Sequence, residues 1–334
     1  MKKLLLLMLT LCIFYSCSKD DNEYIPDDYT YYYPTDSSEL TANLIGDGTG
    51  TFDPSGIAIS NDKLYVCNGN VLEIFDALSL EHIQTITHFK KGDTSIELSS
   101  LSSISIDAGR IYIGSRESRL FVFDESTTEG ITAVGNGQWW QTFVHVFGVV
   151  VKDDLVFVKE KNNIIKVFET SQINETSDWD LPPYAQLNTL NGYTEVYSMD
   201  VVSGNLIVAG RDAKGYLYYN IKNIINKAES SLVTPIEPTK GTFLSIKPTS
   251  IIFNNDWAIT SESMRDTNYL RIYPKDEFVR KKYNPIIDVS DIMGSNSFGS
   301  IVSVAHLNNL LFLSDSSNKK IRVIKINEST ITEQ

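Results

Sequence analysis

The sequence predicts an all-β fold: a six-bladed β-propeller with four-stranded blades and a ring closed by an N-terminal strand. Residues 102–124 read as three short strands, rich in Ile, Tyr, Val and Phe and separated by polar turns. The same pattern occurs six times along the chain, at steps of 45 to 53 residues. Steps of this size are typical of propeller blades, which run to about 40–50 residues with four strands each.

Each copy begins with the strand that would line the centre of the ring. These innermost strands are predicted at residues 56–60, 102–106, 147–151, 197–202, 249–253 and 302–306. Second strands follow at 63–67, 110–114, 154–158, 205–209, 257–261 and 310–314, and third strands at 71–76, 119–124, 164–169, 216–221, 269–274 and 320–326. A β-sandwich also strings short strands together, but it does not predict an apolar triplet at a near-constant step.

The outermost strands are predicted in the connections between copies, at residues 82–87, 131–134, 184–190, 232–236 and 282–289. The sixth copy ends with its third strand, and only a short tail follows. We therefore expect the lone strand at residues 42–45 to be the outer strand of the sixth blade, since closure removes open sheet edges. The turn at 46–50 and the segment 52–59 resemble the start of a repeat of the NHL-like propeller superfamily.

Residues 1–16 have the pattern of a signal peptide. Lys2 and Lys3 form a basic start, and an apolar run follows at residues 4–15. The run is shorter than the roughly 20 residues that a transmembrane helix needs. We therefore expect this segment to direct export and to lie outside the fold.

The end of this segment, Ser16 followed by Cys17, resembles the lipobox of bacterial lipoproteins. Tyr15 departs from the small aliphatic residue usual there, although lipoproteins of Bacteroides-type bacteria are looser at that position. The acidic stretch 18–23 resembles the export signal of their surface lipoproteins. The resemblance implies a lipid anchor on Cys17 in the outer membrane, facing the cell exterior. The alternative is an ordinary signal peptide with a chance cysteine.

Two further segments follow the signal peptide. Residues 17–37 contain Pro26 and Pro34, many acids and no sustained apolar period, which predicts a lipidated flexible tether. Residues 38–334 form one predicted propeller domain, because no linker divides them.

Charge and cysteine content exclude some functions. The formal net charge is −13, and it becomes −15 if residues 1–16 are removed. Such a charge argues against nucleic acid and broad polyanionic surfaces as partners. Cys67 is the one cysteine that remains beyond Cys17, so no internal disulfide is predicted, and its place at the end of an apolar strand indicates a buried filler.

Propeller topology places two sets of loops at one mouth of the channel, the end at which the innermost strands begin. Loops on a rigid scaffold commonly carry function. The loops that return to this mouth are residues 68–70, 115–118, 159–163, 211–214, 262–268 and 315–318. The residues that lead into the innermost strands are Asp53, Ser99, Ser100, 138–145, Glu195, Lys247 and Phe298.

Eight residues of these loops are candidates for ligand binding: Arg116, Trp139, Trp140, His145, Glu160, Arg211, Asp212 and Arg265. Mixed charge beside amides suits a polar ligand, and indole rings form platforms for sugar faces. Two alternatives remain open. Turns are polar in any protein, and the two tryptophans can also fill gaps between blades.

No catalytic, metal or cofactor site is predicted. The sequence lacks nucleophile-elbow, phosphate-loop and EF-hand motifs. Of the four histidines, His145 alone is placed at the predicted mouth, with His306 expected at the opposite one, and a zinc site needs three or four ligands. The NHL-like superfamily includes metal-dependent lyases and lactonases, but their ligand patterns are not matched here. The resemblance therefore does not imply an enzyme.

The predicted function is a class rather than a reaction. We expect a cell-surface outer-membrane lipoprotein whose propeller binds a glycan, a peptide or an envelope partner protein. One alternative is a lactonase- or lyase-like propeller enzyme that acts on a sugar-derived substrate. Another is a passive scaffold subunit of an uptake complex.

Overall fold

The computed structural model describes residues 28–44, 51–135, 143–161, 164–174, 181–189, 198–209, 215–229, 239–240, 247–264, 267–294 and 298–332. The chain divides into two compact units. The larger unit spans residues 33–327. The smaller unit contains, among the described residues, 28–32 and 328–332, which are the ends of two long strands.

The predicted propeller is confirmed, because the described strands form six four-stranded sheets. The chain opens with β1 (Asp28–Leu40). Blade 1 contains β2 (Pro54–Ser60), β3 (Lys63–Asn68), β4 (Val71–Asp76) and β5 (His82–Ile86); a separate hairpin follows, β6 (His88–Lys91) and β7 (Thr94–Glu97). Blade 2 contains β8 (Leu101–Asp107), β9 (Arg110–Ser115), β10 (Arg119–Asp124) and β11 (Gly130–Val134). Blade 3 contains β12 (Val146–Lys152), β13 (Leu155–Glu160), β14 (Ile164–Glu169) and β15 (Ala185–Asn188).

The remaining blades follow the same order from the channel outwards. Blade 4 contains β16 (Ser198–Val202), β17 (Asn205–Ala209), β18 (Tyr216–Asn220) and β19 (Thr239–Lys240). Blade 5 contains β20 (Lys247–Phe253), β21 (Trp257–Met264), β22 (Thr267–Pro274) and β23 (Ile287–Asp288). Blade 6 contains β24 (Ile301–Leu307), β25 (Leu310–Asp315) and β26 (Lys320–Thr332), with β1 as its outer strand.

Short helices occupy some connections. They are α1 (Ile221–Glu229), α2 (Lys275–Val279) and α3 (Val289–Met293), with 3-10 turns at Ala42–Leu44 and Thr170–Gln172. In the part of the chain that the structure describes, none of the helices has the length and apolar character needed to cross a membrane.

The six inner strands enclose a channel. Each of β2, β8, β12, β16 and β20 contacts the inner strand of the next blade, and β24 contacts β2. Tight hairpins set the register of the first two strands of a blade. In blade 1, for example, Asn61 and Asp62 have φ of 49° and 58°, the left-handed backbone that two-residue β-hairpin turns require.

Apolar side chains fill the junctions between neighbouring blades. Between blades 1 and 2, Tyr65 and Leu72 meet Phe121 and Phe123, all fully buried. Similar clusters lie at four more junctions: between blades 2 and 3, 3 and 4, 4 and 5, and 6 and 1. Each blade is therefore too small to bury its own faces and depends on its two neighbours.

Hydroxyl groups add a hydrogen bond across several junctions. Five inner strands carry a bulge just after they begin. Ser55, in the bulge of β2, donates to the Leu101 carbonyl of blade 2 at 3.0 Å. Ser102 and Thr249 repeat this bond towards the next blade, at 2.7 and 3.0 Å. The bulge thus turns a small polar side chain towards the neighbouring blade.

The unpaired edge of an inner strand is satisfied in the same way. Each inner strand forms β-ladder hydrogen bonds with one neighbouring strand only. The N–H groups on its other edge therefore need a different acceptor. Side chains of the preceding blade supply it in four pairs, with distances of 2.7–3.2 Å: Ser105 for Val151, Ser198 for Ile251, Asp200 for Phe253 and Ser303 for Ile57.

The N-terminal strand closes the ring, but the expected residues were wrong. The outer strand of blade 6 is β1, whereas Ala42–Leu44 form a 3-10 turn. Residues 28–37, expected in the flexible tether, are therefore part of a strand. Pro34 is tolerated there because β1 is an edge strand.

Ion pairs hold β1 on β26. Arg322 donates to both carboxylate oxygens of Asp36, at 2.8 and 2.7 Å, and Lys320 Nζ lies 2.5 Å from Glu39 Oε1. Leu40 is fully buried between blades 6 and 1. These partners lie more than 280 residues away in sequence, so local composition could not reveal the strand.

Asp36→Asn should lower the free energy of unfolding by about 1–2 kcal/mol, because the nearly buried Arg322 loses its bidentate acceptor. Glu39→Gln is the matched control. Its basic partner, Lys320, is more exposed than Arg322, so we expect a loss below about 0.5 kcal/mol. Urea unfolding of the purified domain measures both. Equal losses would contradict the role given to Asp36.

Candidate functional site

The front mouth, defined as the end of the channel at which the inner strands begin, holds a cavity of about 450 Å³. Loops of blades 6, 1 and 2 line this cavity. The lining supplies five hydroxyls, one amide, one guanidinium and one carboxylate, from Asp53, Ser55, Asn70, Ser100, Arg116, Ser300, Ser316 and Ser317. Such a density of hydrogen-bonding groups suits a polar ligand.

Hydrogen bonds hold the loops of this mouth together. The Leu101 N–H donates to the Gly69 carbonyl at 2.8 Å, and the Arg116 N–H donates to the Ser100 carbonyl at 3.0 Å. The side-chain oxygen of Asn70 accepts from the Ser100 N–H at 2.8 Å. The loops of blades 1 and 2 are therefore fixed to each other, and the cavity they line is preformed.

Arg116 and His145 come together, as their predicted loops require. Arg116 lines the cavity, and its guanidinium carbon lies 5.5 Å from the centre of the Phe147 ring. The His145 Nδ1 hydrogen-bonds to the Arg116 carbonyl, which requires the proton on Nδ1. The His145 N–H donates to Ser118 Oγ at 3.3 Å. His145 thus supports the Arg116 loop.

Glu160 lies inside blade 3 rather than in the cavity lining. Its side chain is 1% exposed, and its Oε1 lies 2.7 Å from Lys166 Nζ. The neighbouring Lys159 is buried too, and burial lowers the pKa of its ammonium to about 7. The first two residues of the predicted return loop 159–163 are thus part of the blade.

The position of Glu160, at the end of the second strand, is buried and polar in five blades: Asn68, Ser115, Glu160, Glu262 and Asp315. In blade 1, Asn68 Oδ1 accepts from the Asp53 N–H at 2.7 Å. In blade 6, Asp315 Oδ2 accepts from the Gly299 N–H at 2.9 Å. In these blades the position anchors the segment that leads into the inner strand.

Five of the predicted binding residues, Trp139, Trp140, Arg211, Asp212 and Arg265, lie outside the described residues. Of the three that are described, Arg116 lines the front cavity, His145 contacts Arg116 and Glu160 is buried. Their roles in binding stay predictions.

The channel itself holds a second cavity, of about 350 Å³, lined by all six inner strands. Ile, Val and Ala are the commonest residues of its lining, but most of the surface exposed to the cavity is polar. Four ionisable side chains line it: Asp107, Lys152, Asp200 and His306. Within the described ranges, no group of three or more His, Cys, Asp and Glu side chains could hold a metal ion.

Asp200 is the acid set deepest in this channel. Its two oxygens accept from the Val201 and Phe253 N–H groups, both at 2.7 Å. Burial raises the pKa of its carboxyl to about 6, although these two donors and the charge of Lys152 oppose the shift. Asp200 therefore changes charge near neutral pH.

His306 lies near the end of β24, as the repeat register predicts, and it also lines the channel. Burial lowers the pKa of its imidazole, while an interaction with the Phe253 backbone opposes that change. The imidazole is therefore neutral at pH 7. Phe253 contacts both titratable groups through its backbone.

Cys67 is fully buried, and its Sγ lies 3.8 Å from the Ser103 carbonyl. Burial raises the pKa of its thiol well above the usual range. The prediction of a buried filler is confirmed.

Sequence reasoning did not select several residues that the structure brings to these cavities. Asn70, Ser100 and Ser317 belong to the predicted loops, but nothing in their chemistry set them apart from ordinary turns. Asp200 carried a clearer signal, because it is an acid inside a strand predicted to be innermost and otherwise largely apolar.

The chain is similar in fold to solved structures. No family model matches the sequence, and no curated protein matches it. A chain of the crystal structure of the mitotic checkpoint complex is 13% identical, with a TM-score of 0.48 over 79% of this chain and 71% of that chain. The computationally designed Ika8 protein is 9% identical, with a TM-score of 0.46 over 82% and 96%. At these values the likenesses do not bear on function.

The pKa of Asp200 predicts a pH dependence of stability. Above about pH 6 the partly buried Asp200 carboxyl is ionised in the folded state, which costs stability. This cost fades as the pH falls towards 3.8, the ordinary pKa of an Asp carboxyl. The stability of the unaltered protein relative to Asp200→Asn should therefore rise by about 1–3 kcal/mol between pH 7 and pH 4.5. Urea unfolding at several pH values measures the difference. Parallel curves for the two proteins would contradict the buried charge.

Proposed function

We propose that this protein is a binding module whose front mouth takes a polar ligand, a glycan or a peptide. The observation that supports this proposal most is the preformed cavity of about 450 Å³ with hydrogen-bonding groups from three blades. No catalytic constellation accompanies it among the described residues, whereas its hydroxyls, amide and charges are those of a recognition site.

The chemistry of the cavity favours an oriented ligand. Arg116 presents several fixed donors for a carboxylate or a hydroxyl, and Asp53 presents an acceptor. The serine hydroxyls act as donor or acceptor as required. A ligand with hydroxyls or amides along its length can satisfy these groups together.

We propose further that the module is a lipoprotein of the outer membrane, anchored through Cys17 and facing the cell exterior. The basic start, the apolar run and the Ser16–Cys17 pair support this proposal. An envelope protein is then an alternative partner for the same mouth.

The binding proposal predicts a loss of affinity in variants of the front mouth. A glycan and peptide array on the purified domain identifies the ligand first. Arg116→Ala should then weaken binding about ten- to a hundredfold, because it removes a charge-assisted hydrogen bond worth about 1.5–3 kcal/mol. The melting temperature should change little, since Arg116 is exposed.

The matched controls lie at the other end of the blades. Asp62→Ala and Asn205→Ala alter hairpin turns away from the front mouth and should leave affinity unchanged. A ligand that is indifferent to Arg116 and Asn70 but lost in these two variants would place the binding face at the opposite end.

The lipoprotein proposal predicts that radiolabelled palmitate enters the unaltered protein. Cys17→Ala should take up no label and should appear in the soluble periplasmic fraction. Cys12→Ala is the control, because that cysteine lies in the segment expected to be removed, and it should label normally. If Cys17→Ala stays labelled and membrane-bound, the anchor lies elsewhere.

A further inference from the structure

Among the described residues, the lining of the front-mouth cavity contains two charged side chains of opposite sign. Asp53 precedes the inner strand of blade 1, and Arg116 follows the second strand of blade 2. Both side chains are exposed, and they do not form an ion pair with each other. The cavity therefore presents an acid and a cation, from neighbouring blades, to one ligand.

Most of the hydroxyl donors in this lining already serve the protein. Three of the five hydroxyls donate to protein acceptors, at 3.0–3.4 Å: Ser55 to the Leu101 carbonyl, Ser100 to Glu117 and Ser316 to the Ser300 carbonyl. A hydroxyl that donates within the protein offers a ligand its lone pairs. Together with the Asp53 carboxylate, these oxygens favour a ligand group that donates several hydrogen bonds.

The donors that the lining offers to a ligand belong to Arg116 and Asn70. Asn70 Oδ1 accepts the Ser100 N–H at 2.8 Å, so the two N–H groups of the same amide remain for a ligand. The Arg116 guanidinium carries N–H groups in a planar arrangement that matches a carboxylate. The lining is thus suited to a ligand with both a cationic and an anionic group.

These features favour a peptide over a neutral glycan. A short peptide with free ends carries an ammonium, a carboxylate and amide groups between them, whereas a neutral sugar carries hydroxyls. In the described lining no aromatic ring offers a platform for a sugar face. Its apolar members are Pro54, Leu101 and Val302, which suit small aliphatic side chains.

We propose that the front mouth takes a short peptide with free ends, whose carboxylate pairs with Arg116 and whose ammonium pairs with Asp53. The inference rests on the function proposed above and names the class of its ligand. A cavity of about 450 Å³ equals the volume of roughly 15 water molecules in the liquid, which is close to the size of a tripeptide.

The test titrates the purified protein with trialanine at pH 6.5, where both ends of the peptide are charged, and follows binding by calorimetry. Two control ligands each lack one charge: N-acetyl-trialanine lacks the ammonium, and trialanine amide lacks the carboxylate. Maltotriose is the neutral glycan. We expect saturable binding of trialanine and at least tenfold weaker binding of all three controls. Equal affinity for trialanine and either blocked peptide would overturn the proposal.

Variants then assign each end of the peptide to its residue. Arg116→Gln should weaken trialanine at least tenfold but leave trialanine amide unchanged, because the amide has no carboxylate to pair. Asp53→Asn should likewise weaken trialanine but leave N-acetyl-trialanine unchanged. Asp62→Asn, in a hairpin turn at the opposite end of blade 1, is the control and should change neither.

A merely structural role of Asp53 or Arg116 predicts a different result, because a distorted cavity would weaken all the peptides alike. Trialanine affinity that is unchanged in both folded variants would rule the proposal out. The blocked peptides keep the test decisive even where a variant fails to fold, since they are measured on the unaltered protein.

The outcomes separate this inference from the function on which it rests. If maltotriose or another glycan binds at the front mouth and trialanine does not, the binding module stands and the peptide proposal falls. If no peptide or glycan yields binding that is sensitive to Arg116, the proposed function falls as well.

Discussion

The rest of this structure depends on how the inner strand of each blade satisfies its unpaired edge. A four-stranded blade leaves one row of N–H and C=O groups facing the channel and the next blade. Side chains of the preceding blade accept these N–H groups, and hydroxyls in the bulges donate to the carbonyls. Small polar residues must therefore recur within strands that are otherwise apolar. This requirement fixes the distance between blades and, with it, the width of the channel.

The same requirement shapes the two cavities differently. At the front mouth the polar residue that ends the second strand, such as Asn68, holds the loop that leads into the inner strand. These hydrogen bonds hold the loops in place around the cavity, although the loops contain no regular secondary structure. Inside the channel the strands themselves carry the polar groups, so that Asp200 is held by backbone bonds on both oxygens. A site carried by strands is positioned more tightly than one carried by loops.

Much of the fold could be predicted because it rests on local pattern. The strands of blade 2 fall within a residue of their predicted bounds, since alternation and turn residues lie next to each other in sequence. The closing strand was misplaced because Asp36 and Arg322 are 286 residues apart. Glu160 was assigned to a loop because sequence does not show that its carboxylate meets Lys166 inside the blade. Prediction thus failed where the deciding partner is distant in sequence.

Three acids, Asp315, Glu262 and Asp200, differ in what their carboxylates contact. Asp315 is buried without an ion pair, yet its oxygens accept hydrogen bonds from Gly299 and Asn318. Glu262 likewise accepts hydrogen bonds from Tyr216, Tyr273 and Arg271, so its carboxylate is satisfied within its own part of the fold. Asp200 is only partly buried and lines a cavity, and at the equivalent position of blade 2 the neutral Ser105 accepts the corresponding N–H. Burial alone therefore does not separate these acids; Asp200 differs from Asp315 and Glu262 in lining the channel cavity.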